Sequence, residues 1–206
     1  MRRWRVTVAH RPMLAKDVRV AQSQEAQELF CTLDTAAFEA IKACGTHDDP
    51  PYEGLPKEEL IRCACYAECT KYGTVFVESP YAPLATPGSP KTECDLWLAK
   101  SKLWDETWIE IKRAWDWPGW NNKDQFKLWL SDVEKLAGAE AGQRAFVLVS
   151  LTDRAVGSCL DKQYDKVTQR LTSVCGMVFK AGEPRSTHWG SAQLVVQTRM
   201  WWWPGI

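Results

Sequence analysis

Five cysteines and one histidine fall between residues 31 and 69: Cys31, Cys44, His47, Cys63, Cys65 and Cys69. Three chemistries compete for them. A zinc site is one: Cys44 and His47 are three residues apart, and Cys65 and Cys69 are one helical turn apart, so each pair can present donors on one side. Against it, zinc sites normally combine two short spacings of the C-x2-C type, which Cys63 and Cys65 do not match. A disulfide is the second, because two antiparallel helices folded about residue 51 bring Cys31 level with Cys69. The third is that these thiols are buried as small apolar groups, which also suits Cys159 and Cys175.

The elements that would carry these side chains read as a helical hairpin over residues 22–73. Leu29, Leu33, Ala37 and Ile41 recur on one helical face, and Gly45 can close that helix. Asp48, Asp49, Pro50, Pro51 and Gly54 then break the chain, and Pro56 suits the first turn of a second helix over about 57–72. In outline this resembles the twin-cysteine helical hairpins of the mitochondrial intermembrane space. The spacing of Cys31, Cys44, Cys63, Cys65 and Cys69 is not that family's regular pair on each helix, so the likeness covers the hairpin outline and not the motif.

Catalytic signatures are missing from the linear sequence. It contains no phosphate-cradling glycine loop, no H-E-x-x-H, no G-x-S-x-G and no C-x-x-C. His10 and His188 have no acidic or nucleophilic pattern beside them, and the Asp48-Asp49 pair that follows His47 is better explained as part of a turn. The expectation is a protein without catalytic residues and without a cofactor, zinc at Cys44, His47, Cys65 and Cys69 being the one metal to consider.

Tryptophan is the other unusual feature. Of twelve, seven lie between Trp97 and Trp129, and Trp201, Trp202 and Trp203 are consecutive near the end. Trp97, Trp104, Trp108, Ile111 and Trp115 fall at helical steps, and Thr92 with Asp95 mimics a capping box, which predicts a helix over about 93–115. Pro118-Gly119 would break it, and Asn122 would start a second helix lined by Phe126, Trp129, Leu130, Val133 and Leu136 and ending at Gly138. A further helical stripe runs from Val156 to Val178. Strand signals are few: Thr74–Val77, Leu194–Val196, and Phe146–Leu151, which fits a buried strand or a helix equally.

The expected fold is therefore mainly α. It has a basic arm at 1–21, the cysteine hairpin at 22–73, a proline-rich linker at 74–92, a tryptophan-rich helical region at 93–182 and an extended apolar tail at 183–206. No stretch approaches the roughly 18 uncharged residues of a membrane-crossing helix.

Charge is uneven beneath a formal net of zero. Residues 1–21 hold Arg2, Arg3, Arg5, Arg11, Lys16 and Arg19 against Asp17, so 6 − 1 gives +5, whereas residues 22–73 hold ten acids and four bases, giving −6. A basic, acid-poor start has the composition of a mitochondrial targeting segment. Neutral total charge argues against a dedicated nucleic-acid binder.

These features together point to a non-catalytic accessory subunit of a large mitochondrial assembly of the respiratory-chain or ATP-synthase type, at the periphery of the inner membrane. Arg2, Arg3, Trp4, Arg5, Trp117, Trp120, Trp201, Trp202 and Trp203 are its expected contacts with other subunits, and Arg199 could meet anionic lipid. The competing expectations are a ligand- or glycan-binding module, or an enzyme, that stacks substrate on Trp117 and Trp120, and a ribosome-associated protein using the basic arm.

Overall fold

A computed structural model describes residues 15–45, 56–80, 93–116, 122–138, 142–154 and 178–203, together with the single positions 166 and 169. Helix α1 (Ala15–Gly45) buries Ala26, Leu29, Leu33, Ala37 and Ile41 along one stripe. Helix α2 (Glu58–Cys69) buries Ile61, Cys65 and Cys69, one turn apart. These two helices pack on each other, as the sequence predicts, but not as a free hairpin. They cover one face of a sheet.

That sheet has seven strands. Strand β1 (Val75–Pro80) pairs antiparallel with β2 (Glu93–Leu98), and β2 antiparallel with β3 (Thr107–Asp116). Strand β3 then runs parallel to β4 (Gln143–Asp153), and helix α3 (Asn122–Gly138) is the crossover that a parallel pair requires. Strand β7 (Ala192–Trp203) lies antiparallel to β4 over Arg144–Asp153. Beyond β7, β5 (Val178–Ala181) and β6 (Arg185–Trp189) pair with its two halves, so the order is β1-β2-β3-β4-β7-β5 with β6 also on β7.

Alternation along the strands divides the core between two faces. Ile109, Ile111, Trp115, Val147, Val149, Val196 and Trp202 meet α1 and α2. Trp108, Ala114, Phe146, Leu148, Trp201 and Trp203 meet Trp129, Val133 and Leu136 of α3. Strand β4 is central, and every residue from Gln143 to Leu151 is buried, which is why residues 145–149 are apolar without a break rather than alternating.

The mainly α expectation is therefore wrong: the chain builds a mixed sheet between helical layers. The helix predicted over 93–115 is two strands and a loop. Its indoles do not share a face, since Trp108 lies on the α3 side while Trp104 and Trp115 lie on the α1–α2 side. Asp95, read as part of a helix cap, is a residue of β2. The stripe ending at Val178 also needs correction, because Val178–Ala181 is strand β5; residues 155–177, apart from 166 and 169, lie outside the described residues. The α3 prediction from Asn122 to Gly138 matches the helix observed.

The apolar tail is the largest correction. Trp201, Trp202 and Trp203 are 0%, 1% and 2% exposed, within β7. Consecutive strand residues point to opposite faces, so three adjacent indoles fill both halves of one core. Their burial removes the argument that another molecule must cover them.

Two contacts fix α1 on the sheet. A Cβ on Gly45 would stand 1.9 Å from the carbonyl oxygen of His188, and Gly190 N–H donates to Gly45 O at 3.2 Å, so the helix end needs glycine for close approach to the β6–β7 turn. Arg185 of β6 lies 2.7 Å from Asp34 Oδ1 and donates to Asp34 O at 2.8 Å, with its guanidinium over the Phe38 ring at 4.1 Å. No helix among the described residues is long and apolar enough to cross a membrane.

Candidate functional site

Strand β2 covers only the first part of β3, their register spanning Leu96–Leu98 against Thr107–Ile109. Beyond it, side-chain carboxylates take the backbone donors that a strand would take. Asp95 Oδ2 accepts Ile111 N–H at 2.7 Å, and Glu58 Oε2, from the first turn of α2, accepts Arg113 N–H at 3.1 Å. Arg113 Nη1 in turn donates to Pro56 O at 2.5 Å, tying the start of α2 to the same strand.

Lys112 gathers the acids of this region. Its Nζ lies 3.3 Å from Glu110, 3.4 Å from Asp132, 3.5 Å from Asp95 and 3.6 Å from Glu58, so one ammonium joins α2, β2, β3 and α3. Arg62 of α2 serves two carboxylates, Asp95 at 3.3 Å and Glu78 of β1 at 3.4 Å. Burial draws the Lys112 pKa down, but Asp95, Glu110, Glu58 and Asp132 together outweigh it and hold the ammonium above the ordinary lysine range. Lys112 stays charged at neutral pH and is no nucleophile. Burial raises the Glu58 carboxyl above its ordinary value, with Lys112 and the Arg113 N–H opposing. Chemically, the group is a lock between layers.

A second constellation lies at the outer edge of the sheet. Phe76 stands opposite Trp97, and Trp97 opposite Trp108, in the registers of β1, β2 and β3. The Phe76 and Trp97 rings stack at 4.8 Å and 22°, and the Trp97 and Trp108 rings at 5.4 Å and 17°. Trp97 Nε1 donates to Glu106 Oε1 at 2.9 Å, which fixes the middle ring. Trp108 is buried, Trp97 half-buried and Phe76 44% exposed, so the ladder runs from the core to open surface. Val77, next along the same strand and directed to its opposite face, is 52% exposed.

Which groups of β1 point away from β2 can be read from its hydrogen bonding. Ala99 N–H donates to Thr74 O at 3.0 Å, so Thr74/Ala99 and Phe76/Trp97 are the hydrogen-bonded pairs. By alternation, the N–H and C=O groups of Val75 and Val77 point away from β2. Among the described residues no strand lies outside β1. The edge ends at Glu78, held at a φ of 49°, and at Pro80, both of which discourage continued pairing.

Among the described residues, those singled out from the sequence do not gather at one site. Cys31 and Cys69 are free thiols, the first exposed and the second buried, so the proposed bridge is absent. Cys65 is buried with its thiol 3.8 Å from Leu33 O; burial raises it well above an ordinary thiol and pushes Cys69 up to about 12, which leaves both protonated and inert at neutral pH. Cys44 is half-buried at the end of α1, while His47 lies outside the described residues. Among the described residues no group of three His, Cys, Asp or Glu side chains is arranged to hold a metal ion. Arg2, Arg3, Trp4, Arg5, Trp117 and Trp120 also lie outside them, as do Cys159 and Cys175. Trp201, Trp202 and Trp203 are core residues.

Sequence reasoning missed Phe76 and the cluster around Lys112. The alternation of Thr107, Ile109 and Ile111 with Trp108, Glu110 and Lys112 was the available signal, masked by the helical spacing of the tryptophans. An open depression of about 470 Å³ at the end of β4, lined by Asp153, Arg154, Ser191, Ala192 and Gln193, was also not anticipated.

The fold is thus a three-layer α/β arrangement on a mixed sheet with one aromatic edge. No family model, curated protein or solved structure matches the chain.

Proposed function

We propose that this chain is a non-catalytic subunit of a multiprotein assembly that engages a neighbour through the outer edge of β1. The observation that carries this reading is the ring ladder of Trp108, Trp97 and Phe76, which ends on an exposed ring at a strand edge whose other face carries an exposed Val77. Natural edges are usually short, charged or covered, and an apolar one is a template for another chain. Here charge and proline guard only the far end, at Glu78 and Pro80. The terminal tryptophans do not support the reading. A mitochondrial address, and with it a respiratory-chain or ATP-synthase assembly, has the basic composition of residues 1–21 as its support.

A photoactivatable phenylalanine analogue in place of Val77, expressed in the native cell, tests the docking edge. The expected result is one discrete protein adduct, absent when the same analogue replaces Leu128, which is 63% exposed on α3. Silence at Val77, or the same products from both positions, would count against the proposal.

A further inference from the structure

Resting on that reading, we infer that the partner adds a short antiparallel strand whose central residue is aromatic and which carries a basic residue two positions before it. The hydrogen-bond phase of β1 sets the first requirement. An incoming strand bonds to the outward N–H and C=O groups of Val75 and Val77, so the residue facing Phe76 sits in a non-hydrogen-bonded pair. In such pairs the Cα atoms approach to about 4.5 Å, the closest spacing for side chains across strands. An aromatic ring there continues the stack of Trp108, Trp97 and Phe76 by one member, over a Phe76 ring that is now 44% exposed. An aliphatic residue covers less of that ring.

Charge sets the second requirement. Arg62 is shared between Asp95 and Glu78, at 3.3 and 3.4 Å, and the Glu78 side chain is 62% exposed. Asp95 is also met by Lys112, but the exposed Glu78 shares Arg62 with it, which leaves room for a further cation at Glu78. In antiparallel alignment the partner residue nearest Glu78 is two positions before the one facing Phe76. The kink at Glu78, with φ at 49°, limits the pairing to the stretch before it, so the contact is short and depends on these two side chains.

The test uses the full chain and a fluorescein-labelled six-residue peptide of alternating threonine and valine, with a central tryptophan and a lysine two positions before it. Anisotropy should show saturable binding that weakens about tenfold when the peptide tryptophan becomes alanine, as expected for losing a stacked ring and its buried area. It should weaken about threefold when the peptide lysine becomes glutamate, and that difference should shrink in high salt. Phe76→Ala and Glu78→Gln in the chain should reproduce the two losses separately, with unchanged near-ultraviolet circular dichroism. Equal binding of all three peptides overturns this inference, and a positive crosslink at Val77 would then leave the docking edge standing. Absence of binding by any peptide, with no Val77 crosslink, overturns both.

Discussion

Glu58 accepts the backbone N–H of Arg113 at a position where the ladder between β2 and β3 has already ended. A carboxylate on a helix thus does the work of a missing strand residue, and it does so while partly buried. Burial raises the Glu58 pKa above its ordinary 4.5 in the folded state, with Asp95 adding repulsion and Lys112 opposing both. The folded chain therefore holds the Glu58 proton more tightly than the unfolded chain. That contribution to stability is fully present below the ordinary value and is lost as pH rises through the folded value.

Glu58→Gln keeps an oxygen acceptor for Arg113 N–H and removes the charge. Relative to wild type, the variant should gain stability as pH rises from about 4.5 toward neutrality, the region where Glu58 ionises. Urea midpoints measured across that range report the difference. Parallel curves for the two proteins would show that Glu58 does not titrate differently on folding.

Lys112 has the opposite character. Its side chain is 15% exposed, and Glu110 beside it is 4% exposed, so removing the ammonium leaves carboxylates buried without their shared counter-charge. Lys112→Met should cost about 3 kcal/mol, the scale for breaking a buried ion pair from one side. A second change, Glu110→Leu, should recover part of that loss, because it removes the most buried of the four acids around Lys112. Chemical denaturation of the two variants checks both statements; additivity of the two losses would mean that the residues are not coupled.

The seam between α1 and the β6–β7 turn depends on Gly45. A methyl group there would collide with the backbone carbonyl of His188, which cannot swing aside as a side-chain tip can. Gly45→Ala should destabilise by about 2 kcal/mol through overpacking, despite alanine's better helix propensity. Thermal melts of the variant give the answer directly, and a melting temperature at or above wild type would mean that the helix end and the turn separate easily.

Parts of this fold were legible from local pattern. Leu29, Leu33, Ala37 and Ile41 recur at helical spacing on a helix that has solvent on its other side, so α1 was visible, and the same holds for Trp129, Val133 and Leu136 on α3. Strand β3 was not. Trp104, Trp108, Ile111 and Trp115 satisfy a helical period by coincidence, whereas Ile109, Ile111 and Trp115 satisfy the strand period that tertiary pairing selects. Strand β4 is buried on both faces, and a short run without alternation carries no period at all. The edge site was invisible for a different reason: Phe76, Trp97 and Trp108 meet only through the register of three strands, which local sequence does not encode.

The terminal indoles supply the last prediction. Trp202 is packed among the residues that meet α1 and α2, and Trp203 among those that meet α3, so both layers rest on β7. Trp202→Ala should cost about 3–5 kcal/mol, the range for deleting a large buried aromatic side chain. Trp203→Ala should cost a comparable amount while acting on the opposite face. Because each loss falls within one protomer, unfolding midpoints of the purified chain should show it without any partner present, and without dependence on protein concentration. A tail that instead needed another subunit for burial would give alanine variants as stable as wild type in isolation, and that outcome would contradict the placement of β7 in the core.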